Sequence, residues 1–521
     1  MELGVGGSNP PCCTKTMVKE KKLKPELASG FTDRKGNELI LKDRLIEIIK
    51  RNFQLYGFEP LETPGFEISE NIGKFLPDEG RPMSGVFGFK DEKDWISLRY
   101  DLTAPLARYV AKNFDKLSKP FKRYQVGSVW RNEKPGPGRF REFTQVDADI
   151  VGTKNILADA EMCFLLADTL EQCGLEKNEY KIKVSNRKLF FGILEYLKIS
   201  DEKKKLGVLR AIDKYDRLGP KGVEALLGKG RKDESGDFTK GVGLNKKEID
   251  FITEFLDIAD QEFFRNLSFA NYEGISSTFK KAEEEIKNFF SLTRLSKFRD
   301  KIVFSPSLVR GIEYYTGTIF EANLLFKVKN NKGDEVEFGS VAGGGRYDDL
   351  VSRFTNNSSP ATGISIGLDR LLVGIQQKES FVGGVSKKLI EREDSIGPVV
   401  ICTFEKQPFL ATSKEETQEK EISSPYYNLL SMLRLAGINS EIYCGDGNLK
   451  AQIKYADKRN SPAVILYGED EIKSGTITIK NLRLGKEVSA QTITREDWTS
   501  NKKAQIIVRE EDLVNEIKKL L

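Results

Sequence analysis

Residues 121–152, FKRYQVGSVWRNEKPGPGRFREFTQVDADIVG, decide the fold. Two runs of β-forming residues flank a loop rich in proline and glycine at 134–138, which predicts a long antiparallel hairpin. Gln145, Asp147 and Asp149 alternate along the second run, so their side chains share one face of the sheet. In a closed core these groups would repel or desolvate one another. The pattern therefore predicts a wall that faces a polar ligand.

A second stretch, 308–322, reads LVRGIEYYTGTIFEA and alternates like a strand. Arg310 stands just ahead of the tyrosine pair Tyr314 and Tyr315. The planar fork of a guanidinium group can grip a carboxylate or a phosphate. For a lone arginine, a surface ion pair at a sheet edge is the plainer interpretation. Both interpretations stay open from this stretch alone.

Residues 95–105, WISLRYDLTAP, predict a strand that ends in a polar turn holding Asp101 and Thr103. Such a turn opens a ligand pocket or simply caps the helix that follows. The glycines of 340–349, SVAGGGRYDD, either admit a ligand close to the backbone or form a turn.

Residues 361–372, ATGISIGLDRLL, predict a strand running into a helix with Arg370 in its first turn. A helix dipole disfavours a cation at that end. A bound phosphate would resolve the conflict.

Composition narrows the possible chemistry. A chain of 521 residues, 39% hydrophobic, can bury a sizeable core and predicts two or more domains. The net charge of +5 is compatible with a nucleic-acid partner but is too small to predict one. The chain contains no histidine, which excludes a Cys/His zinc site and a Ser-His-Asp triad. Six scattered cysteines without a CxxC pair are typical of free thiols. With no signal peptide and no apolar run long enough to span a bilayer, we expect a soluble, cytoplasmic protein without membrane contact.

Three motifs resemble those of class II aminoacyl-tRNA synthetases. The helix and strand around Pro64 are similar to motif 1, VWRNE at 129–133 with REF at 141–143 to motif 2, and GLDR at 367–370 to motif 3. LVRGIEYYTG and AGGGRYDDL resemble the two signatures of the histidyl-tRNA synthetase family. The EKPGPGRFREF hairpin and the RKDESGDFTKG segment are similar to its alphaproteobacterial-type branch.

The resemblance implies an α+β catalytic domain, built on an antiparallel six-stranded sheet flanked by helices, and a C-terminal α/β anticodon-binding domain. The final segment itself shows a βαβαβ rhythm, which predicts a mainly parallel sheet. The expected division is a basic tail at 1–28, the catalytic domain at 29–385 with a helical insertion at about 190–300, a linker at 386–395 and the anticodon-binding domain at 396–521.

The implied reaction is ATP-dependent ligation of L-histidine to tRNA(His) through a histidyl-adenylate, releasing pyrophosphate and AMP. ATP is a substrate whose phosphates carry Mg²⁺, no metal is held by the protein, and the chain forms a homodimer. A helix at 38–56 followed by a proline-bearing extended segment suits a dimer edge or an ordinary domain edge.

The resemblance also assigns the nucleotide contacts. Arg131 is expected at the α-phosphate, Glu133 at the adenine edge and Phe143 against the adenine ring. Arg370 is expected at the γ-phosphate or the other adenine face, although Asp369 beside it stands where the family often has glutamate.

For the amino acid, the resemblance implies that Asp101, Thr103 and Gln145 hold the α-amino group. Asp149 faces the imidazole with Tyr314 and Tyr315. Arg310 bridges the substrate carboxylate and the α-phosphate, as a metal ion does in related synthetases.

Two other functions remain possible. One is the non-catalytic paralogue that serves as regulatory subunit of ATP phosphoribosyltransferase, which lacks the C-terminal module and usually the arginine–tyrosine signature. The other is a generic RNA-binding or sensor module on the same fold. Only the synthetase performs histidine-dependent ATP–pyrophosphate exchange.

Overall fold

The structure is a computed structural model of the chain. It describes residues 24–72, 85–132, 140–232, 236–257, 273–294, 296–309, 314–329, 335–377, 397–404, 425–443, 447–484 and 504–521. Arg310, Glu133, the loop at 134–138 and the predicted linker lie outside these residues.

The described strands are β1 Glu59–Pro60, β2 Phe66–Ile68, β3 Gly88–Asp91, β4 Asp94–Leu98, β5 Phe121–Trp130, β6 Glu142–Val151, β7 Tyr180–Asn186, β8 Gly230–Lys232, β9 Phe238–Lys240, β10 Ile302–Phe304, β11 Thr318–Lys329, β12 Glu335–Arg346, β13 Ala361–Gly367, β14 Val399–Cys402, β15 Ser440–Ile442, β16 Ala463–Leu466, β17 Thr476–Asn481 and β18 Gln505–Arg509. The described α-helices are α1 Asn37–Leu55, α2 Ser69–Ile72, α3 Thr103–Lys112, α4 Ile156–Gln172, α5 Arg187–Tyr196, α6 Glu202–Ile212, α7 Tyr215–Leu227, α8 Lys246–Leu256, α9 Ser277–Thr293, α10 Leu368–Gln377, α11 Pro425–Leu435, α12 Leu449–Lys458, α13 Glu469–Ser474 and α14 Leu513–Leu520.

One sheet of eight strands organises the larger part of the chain, in the order β1-β5-β6-β13-β12-β11-β7-β10. Neighbouring strands from β5 to β7 are all antiparallel, which confirms the predicted six-stranded antiparallel sheet. A short parallel strand extends each edge, β1 beside β5 and β10 beside β7. Pro60 lies on the edge strand β1, where its missing N–H costs no ladder hydrogen bond.

The two faces of β6 differ in chemistry. Val146, Ala148 and Ile150 belong to the main apolar core, which α1 and α4 cover. The alternate residues, the predicted polar wall, therefore face the other side of the sheet. They are buried as well, so the wall is enclosed.

The helix predicted at 38–56 is confirmed as α1. Leu41, Leu45, Ile49 and Phe53 are almost wholly buried, and their spacing of three or four residues places them on one helix face. Burial of apolar surface stabilises a fold by about 25 cal/mol per Å², and the burial of this face therefore holds α1 against the sheet.

Helices α5 to α9 and the small β8–β9 hairpin lie between β7 and β10, both of which belong to the main sheet. The predicted helical character of this segment is thus confirmed for the described residues. Helix α9 packs on α5 and α4, so the segment shares the core of the main sheet.

The C-terminal sheet has the order β15-β14-β16-β17-β18. Strand β14 is parallel to β15 and β16, whereas β17 and β18 are antiparallel additions, so the prediction of a mainly parallel sheet is only half right. The connection 467–475 is shorter than the dozen or so residues that a parallel crossover needs, and the chain reverses there instead.

Three local predictions need correction or completion. Tyr314 and Tyr315 precede β11 and do not lie in a strand. The three glycines at 343–345 lie inside β12 and form no turn. Cys163, Cys173 and Cys402 are free and buried, and the other three cysteines lie outside the described residues.

Among the described helices, none is long and apolar enough to cross a membrane.

Candidate active site

A cavity of about 740 Å³ opens on the face of the sheet opposite α1 and α4. Every predicted site residue that the structure describes lines it: Asp101, Thr103, Arg131, Phe143, Gln145, Asp149, Tyr314, Tyr315 and Arg370. Arg310 and Glu133 are outside the described residues, so their positions remain predictions.

The Asp101 carboxylate makes hydrogen bonds both to the backbone at the start of α3 and to a side chain that lines the cavity. One carboxylate oxygen accepts hydrogen bonds from the N–H groups of Thr103 and Ala104, at 3.2 and 3.0 Å, and thereby caps the start of α3. The other oxygen accepts from the Tyr314 hydroxyl at 3.3 Å. Asp101 therefore accepts from the first backbone N–H groups of α3 and also lines the cavity, and its contact with a ligand stays a prediction.

Asp149 is held from two sides. The Tyr347 hydroxyl donates to Oδ1, and Nη2 of Arg123 lies 2.8 Å from Oδ2. Burial raises the pKa of Asp149, and the adjacent guanidinium opposes that rise. A Cβ at Gly363, the β13 residue opposite Asp149, would lie 2.0 Å from Oδ1, so only glycine leaves room for this carboxylate.

Tyr347 and Arg123 did not emerge from the sequence as site residues. Tyr347 lies in the AGGGRYDDL signature, which assigns it no role of its own, and Arg123 lies on the strand β5, which the sequence predicts correctly. The missing information was the strand order, since Tyr347 reaches Asp149 from β12 across β13.

Three tyrosine rings meet beside the two carboxylates. The ring of Tyr314 is nearly perpendicular to those of Tyr315 and Tyr347, at centroid distances of 5.0 and 5.7 Å. Burial raises the pKa of all three hydroxyl groups, and the nearby carboxylates of Asp101 and Asp149 raise it further. The hydroxyl groups therefore stay neutral and can donate at physiological pH.

Gln145 and Asp147 complete the polar wall behind the cavity. The Gln145 side-chain amide donates to the Ser365 hydroxyl on β13. Burial raises the pKa of Asp147 to about 7, and the neighbouring Asp149 adds to the rise while Arg123 reduces it. Asp147 is 1% exposed and does not line the cavity.

Arg131 lies between two aromatic rings at the other end of the cavity. Its guanidinium carbon is 4.4 Å from the ring centroid of Tyr100 and 5.1 Å from that of Phe143. Its Nε donates to the Tyr100 carbonyl at 3.3 Å. Arg131 also lines the cavity.

Arg370 is the third residue of α10, as predicted, but the expected conflict with the helix dipole is already relieved. Its Nε donates to the Ser340 carbonyl and its Nη2 to that of Phe338 at 2.7 Å. The guanidinium also lies over the Phe338 ring at 5.0 Å. Carbonyl groups of β12 thus accept hydrogen bonds from this guanidinium, and the phosphate contact of Arg370 stays a prediction.

Asp369 acquires a role that its sequence position did not reveal. One oxygen accepts from the backbone N–H of Thr144 on β6, and the other lies 3.2 Å from Nζ of Lys42 and 3.1 Å from Nη2 of Arg34. The buried carboxylate thus ties the start of α10 to β6 and α1. Through this tie it fixes the helix turn that carries Arg370.

An antiparallel sheet with helices packed on one face and an open cavity on the other, lined by both carboxylates and arginines, is the arrangement of a class II aminoacyl-tRNA synthetase catalytic domain. Comparison with known proteins identifies the particular family. Residues 30–371 match the family model described as histidyl-tRNA synthetase, and residues 399–520 match that of an anticodon binding domain. The chain belongs to the histidyl-tRNA synthetase family.

Individual relatives agree with this assignment. A protein from Brucella suis named "Histidine--tRNA ligase" is 44% identical over 510 residues, covering 96% of this chain and 97% of its own. One of the same name from Bartonella bacilliformis is 43% identical over 508 residues, with coverages of 96% and 98%. The crystal structure of histidyl-tRNA synthetase from Nostoc sp. PCC 7120 superimposes with a TM-score of 0.66 at 26% identity, covering 96% of this chain and all of that one. The regulatory-subunit alternative is not favoured.

Proposed function

We propose that the chain ligates L-histidine to tRNA(His), using ATP and passing through a histidyl-adenylate. The observation that carries the proposal is one cavity whose lining brings the acidic and hydroxyl groups of Asp101, Asp149, Tyr314 and Tyr315 together with the guanidinium groups of Arg131 and Arg370. The 44% identity to proteins named histidine–tRNA ligase over nearly the whole chain supports it.

At the amino-acid end, Asp101 with Thr103 and Gln145 would hold the α-ammonium group. Asp149 would accept the N–H of the imidazole, with Tyr314, Tyr315 and Tyr347 around the ring. Neutral imidazole carries one donor and one acceptor. A buried site that pairs both leaves its own polar groups unsatisfied with any other side chain, so discrimination can be large without an editing reaction.

At the nucleotide end, Arg131 would leave the aromatic rings for the α-phosphate, Phe143 would stack on adenine and Arg370 would meet the γ-phosphate or the second adenine face. Glu133 at the adenine edge rests on the resemblance alone. ATP brings its own Mg²⁺ on the phosphates. The substrate carboxylate then attacks the α-phosphorus and pyrophosphate leaves.

Arg310 is proposed to bridge the substrate carboxylate and the α-phosphate. Two anions must approach each other in this step, so neutralisation and alignment dominate the acceleration. We expect Arg310→Ala to lower the rate of histidine-dependent pyrophosphate exchange by roughly 10²–10³, by analogy with the loss of one preorganised donor. Arg310→Lys should be nearly as slow because the planar fork is lost. A rate within a few-fold of wild type would remove Arg310 from this role.

We place the catalytic domain at 29–385 and the anticodon-binding domain at 396–521. Lys450, Lys454 and Lys458 are exposed and spaced by four residues along α12, so they share one helix face that suits a phosphate backbone. Replacing Lys450 and Lys454 with glutamate should raise the KM for tRNA(His) and leave pyrophosphate exchange unchanged. If the variant changed the rate of pyrophosphate exchange and left the KM for tRNA(His) unchanged, the lysines would not act in tRNA binding.

We propose a homodimer in the cytoplasm. Phe66, Ile68 and Phe89 are exposed side chains of the small β2-β4-β3 sheet, and the rings of Phe66 and Phe89 meet at 5.8 Å. A contiguous apolar face of this kind is typical of a protein interface. Light scattering should give twice the chain mass for the wild type and a monomer for Phe66→Asp. A monomeric wild type would refute the assembly.

The decisive experiment for the activity is pyrophosphate exchange with each of the twenty amino acids. We expect exchange with histidine only, followed by histidine transfer to tRNA(His). Exchange with another amino acid, or none with histidine, would overturn the proposed function.

A further inference from the structure

The structure contains a buried arginine that the proposed reaction does not yet use. The Arg123 side chain is 0% exposed, lies on β5 directly opposite Asp149 of β6, and is absent from the cavity lining. It therefore cannot touch a substrate in this arrangement. Any contribution to the reaction must pass through the groups it contacts.

Those contacts connect the two halves of the histidine site. Nη2 of Arg123 lies 2.8 Å from the Asp149 carboxylate and donates to the carbonyl of Leu102 at 3.0 Å. Leu102 lies between Asp101 and Thr103, the pair proposed to hold the α-ammonium group. One guanidinium thus joins the imidazole-facing carboxylate to the turn that faces the other end of the substrate.

The charge balance around Arg123 is unusual. Its charged neighbours are the carboxylates of Asp149 and Asp147 on β6, with Asp101 beside them, and the guanidinium of Arg99, while the ionisable hydroxyls in the cluster belong to Tyr314, Tyr315 and Tyr347. Among the residues that the structure describes, neither Nε nor Nη1 of Arg123 has a hydrogen-bond partner. Burying a charge with unused donors costs stability, since a buried cation is tolerated only when it is paired. The position is therefore poorly explained by stability alone.

We propose that Arg123 is a positioning residue for histidine recognition, which holds Asp149 against the imidazole and braces the 101–103 turn against the α-ammonium group. The proposal rests on the proposed function. Because the guanidinium acts on the amino-acid end alone, its removal should weaken histidine binding and leave ATP binding unaffected.

The test is steady-state pyrophosphate exchange with Arg123→Met and Arg123→Lys. We expect Arg123→Met to raise the KM for histidine about tenfold or more, the value of one hydrogen bond to a charged group, with the KM for ATP changed less than about threefold. Arg123→Lys keeps the charge but not the fork, so its KM for histidine should lie between those of Arg123→Met and the wild type.

A matched control lies one residue along the same strand. Lys122 points to the opposite face, where its Nζ donates to Glu161 at 2.8 Å and to the Tyr56 carbonyl at 2.7 Å. Lys122→Met removes a charge and an ion pair from β5 without approaching the cavity. It should lower the melting temperature and leave both KM values unchanged. If it raised the KM for histidine as Arg123→Met does, the effect would come from strand stability and the proposal would fall.

A double-variant cycle tests whether Arg123 acts through Asp149. In an Asp149→Asn background, Arg123→Met should raise the KM for histidine by less than it does in the wild-type background, because the carboxylate it positions is gone. Equal effects in both backgrounds would contradict the proposal. If Arg123→Met fails to fold, Arg123→Lys in the same two backgrounds gives the same comparison. If the wild type shows no exchange with histidine, the proposed function itself is refuted. If the wild type exchanges normally and Arg123→Met does not raise the KM for histidine selectively over the KM for ATP, only the positioning role is refuted.

Discussion

The two ends of the cavity are built differently. At the amino-acid end, Asp101 and Asp149 are nearly inaccessible and already hold hydrogen bonds or an ion pair. At the nucleotide end, Arg131 lies against aromatic rings and Arg370 donates to backbone carbonyl groups. In the proposed function, the amino-acid end is thus organised before histidine arrives, whereas the arginines of the nucleotide end would have to exchange contacts to receive a phosphate.

This difference matches what each substrate demands. A small amino acid offers few atoms for recognition, so the site gains specificity by fixing its partners in advance, in a low-dielectric environment. A triphosphate carries a large negative charge, and this charge is redistributed when pyrophosphate leaves. Cations that can change their contacts can neutralise it at each stage of the reaction. Selectivity for histidine should therefore reside at the buried end, and the rate of adenylate formation at the exposed end.

The largest expected effect is at the buried end. Asp149→Asn replaces the carboxylate proposed to face the imidazole by a neutral amide and leaves Arg123 without the carboxylate that pairs with it. We expect kcat/KM for histidine to fall by roughly 10³–10⁴, comparable to a site that loses its partner for a substrate N–H. Amino-acid-dependent exchange measures this change, with the KM for ATP as the internal reference. An equal loss for both substrates would break the contrast between the two ends.

Arg131→Met should have the next largest effect, and on a different parameter. The thioether can still pack between Tyr100 and Phe143, but the cation proposed to meet the α-phosphate is gone. We expect kcat for exchange to fall by roughly 10²–10³ with little change in the KM for histidine. Pre-steady-state adenylate formation measures the step directly. A pure increase in the KM for histidine would assign Arg131 to the wrong end.

The smallest effect concerns stability. The pKa of Asp147 is raised to about 7 in the folded chain, so the folded state binds the proton more tightly than the unfolded state. The contribution of protonated Asp147 to the free energy of unfolding is therefore fully present below the ordinary pKa of an aspartate and is lost as the pH rises through about 7. Asp147→Asn removes this loss, and its melting temperature should exceed that of the wild type by a few degrees at pH 8 and by clearly less at pH 5. A gain independent of pH would show that Asp147 does not titrate in this range.

Much of this arrangement could be predicted from local sequence. The helix α1 follows from apolar residues spaced by three and four, and the polar wall of β6 follows from a period of two. The site residues could be assigned because the motifs resemble a known family, and those within the described residues meet around one cavity.

Non-local geometry is what the sequence did not reveal. The contact between Tyr347 and Asp149 joins residues 198 positions apart and depends on the order of strands in the sheet. Arg123 was visible on a predicted strand, but its partner depends on the hairpin register. Asp369 is a shorter carboxylate than the glutamate that the family often has there, and only packing shows that it holds α1 and β6 to α10.

Crystal structures of the enzyme without ligand and with a non-hydrolysable histidyl-adenylate analogue compare the two ends directly. We predict that Asp149, Tyr347 and Arg123 keep their mutual contacts and move by less than about 1 Å, while Arg131 leaves the Phe143 ring for the phosphate. Separation of Asp149 from Arg123 on binding, with Arg131 still against its rings, would show that the buried end rearranges and the nucleotide end does not.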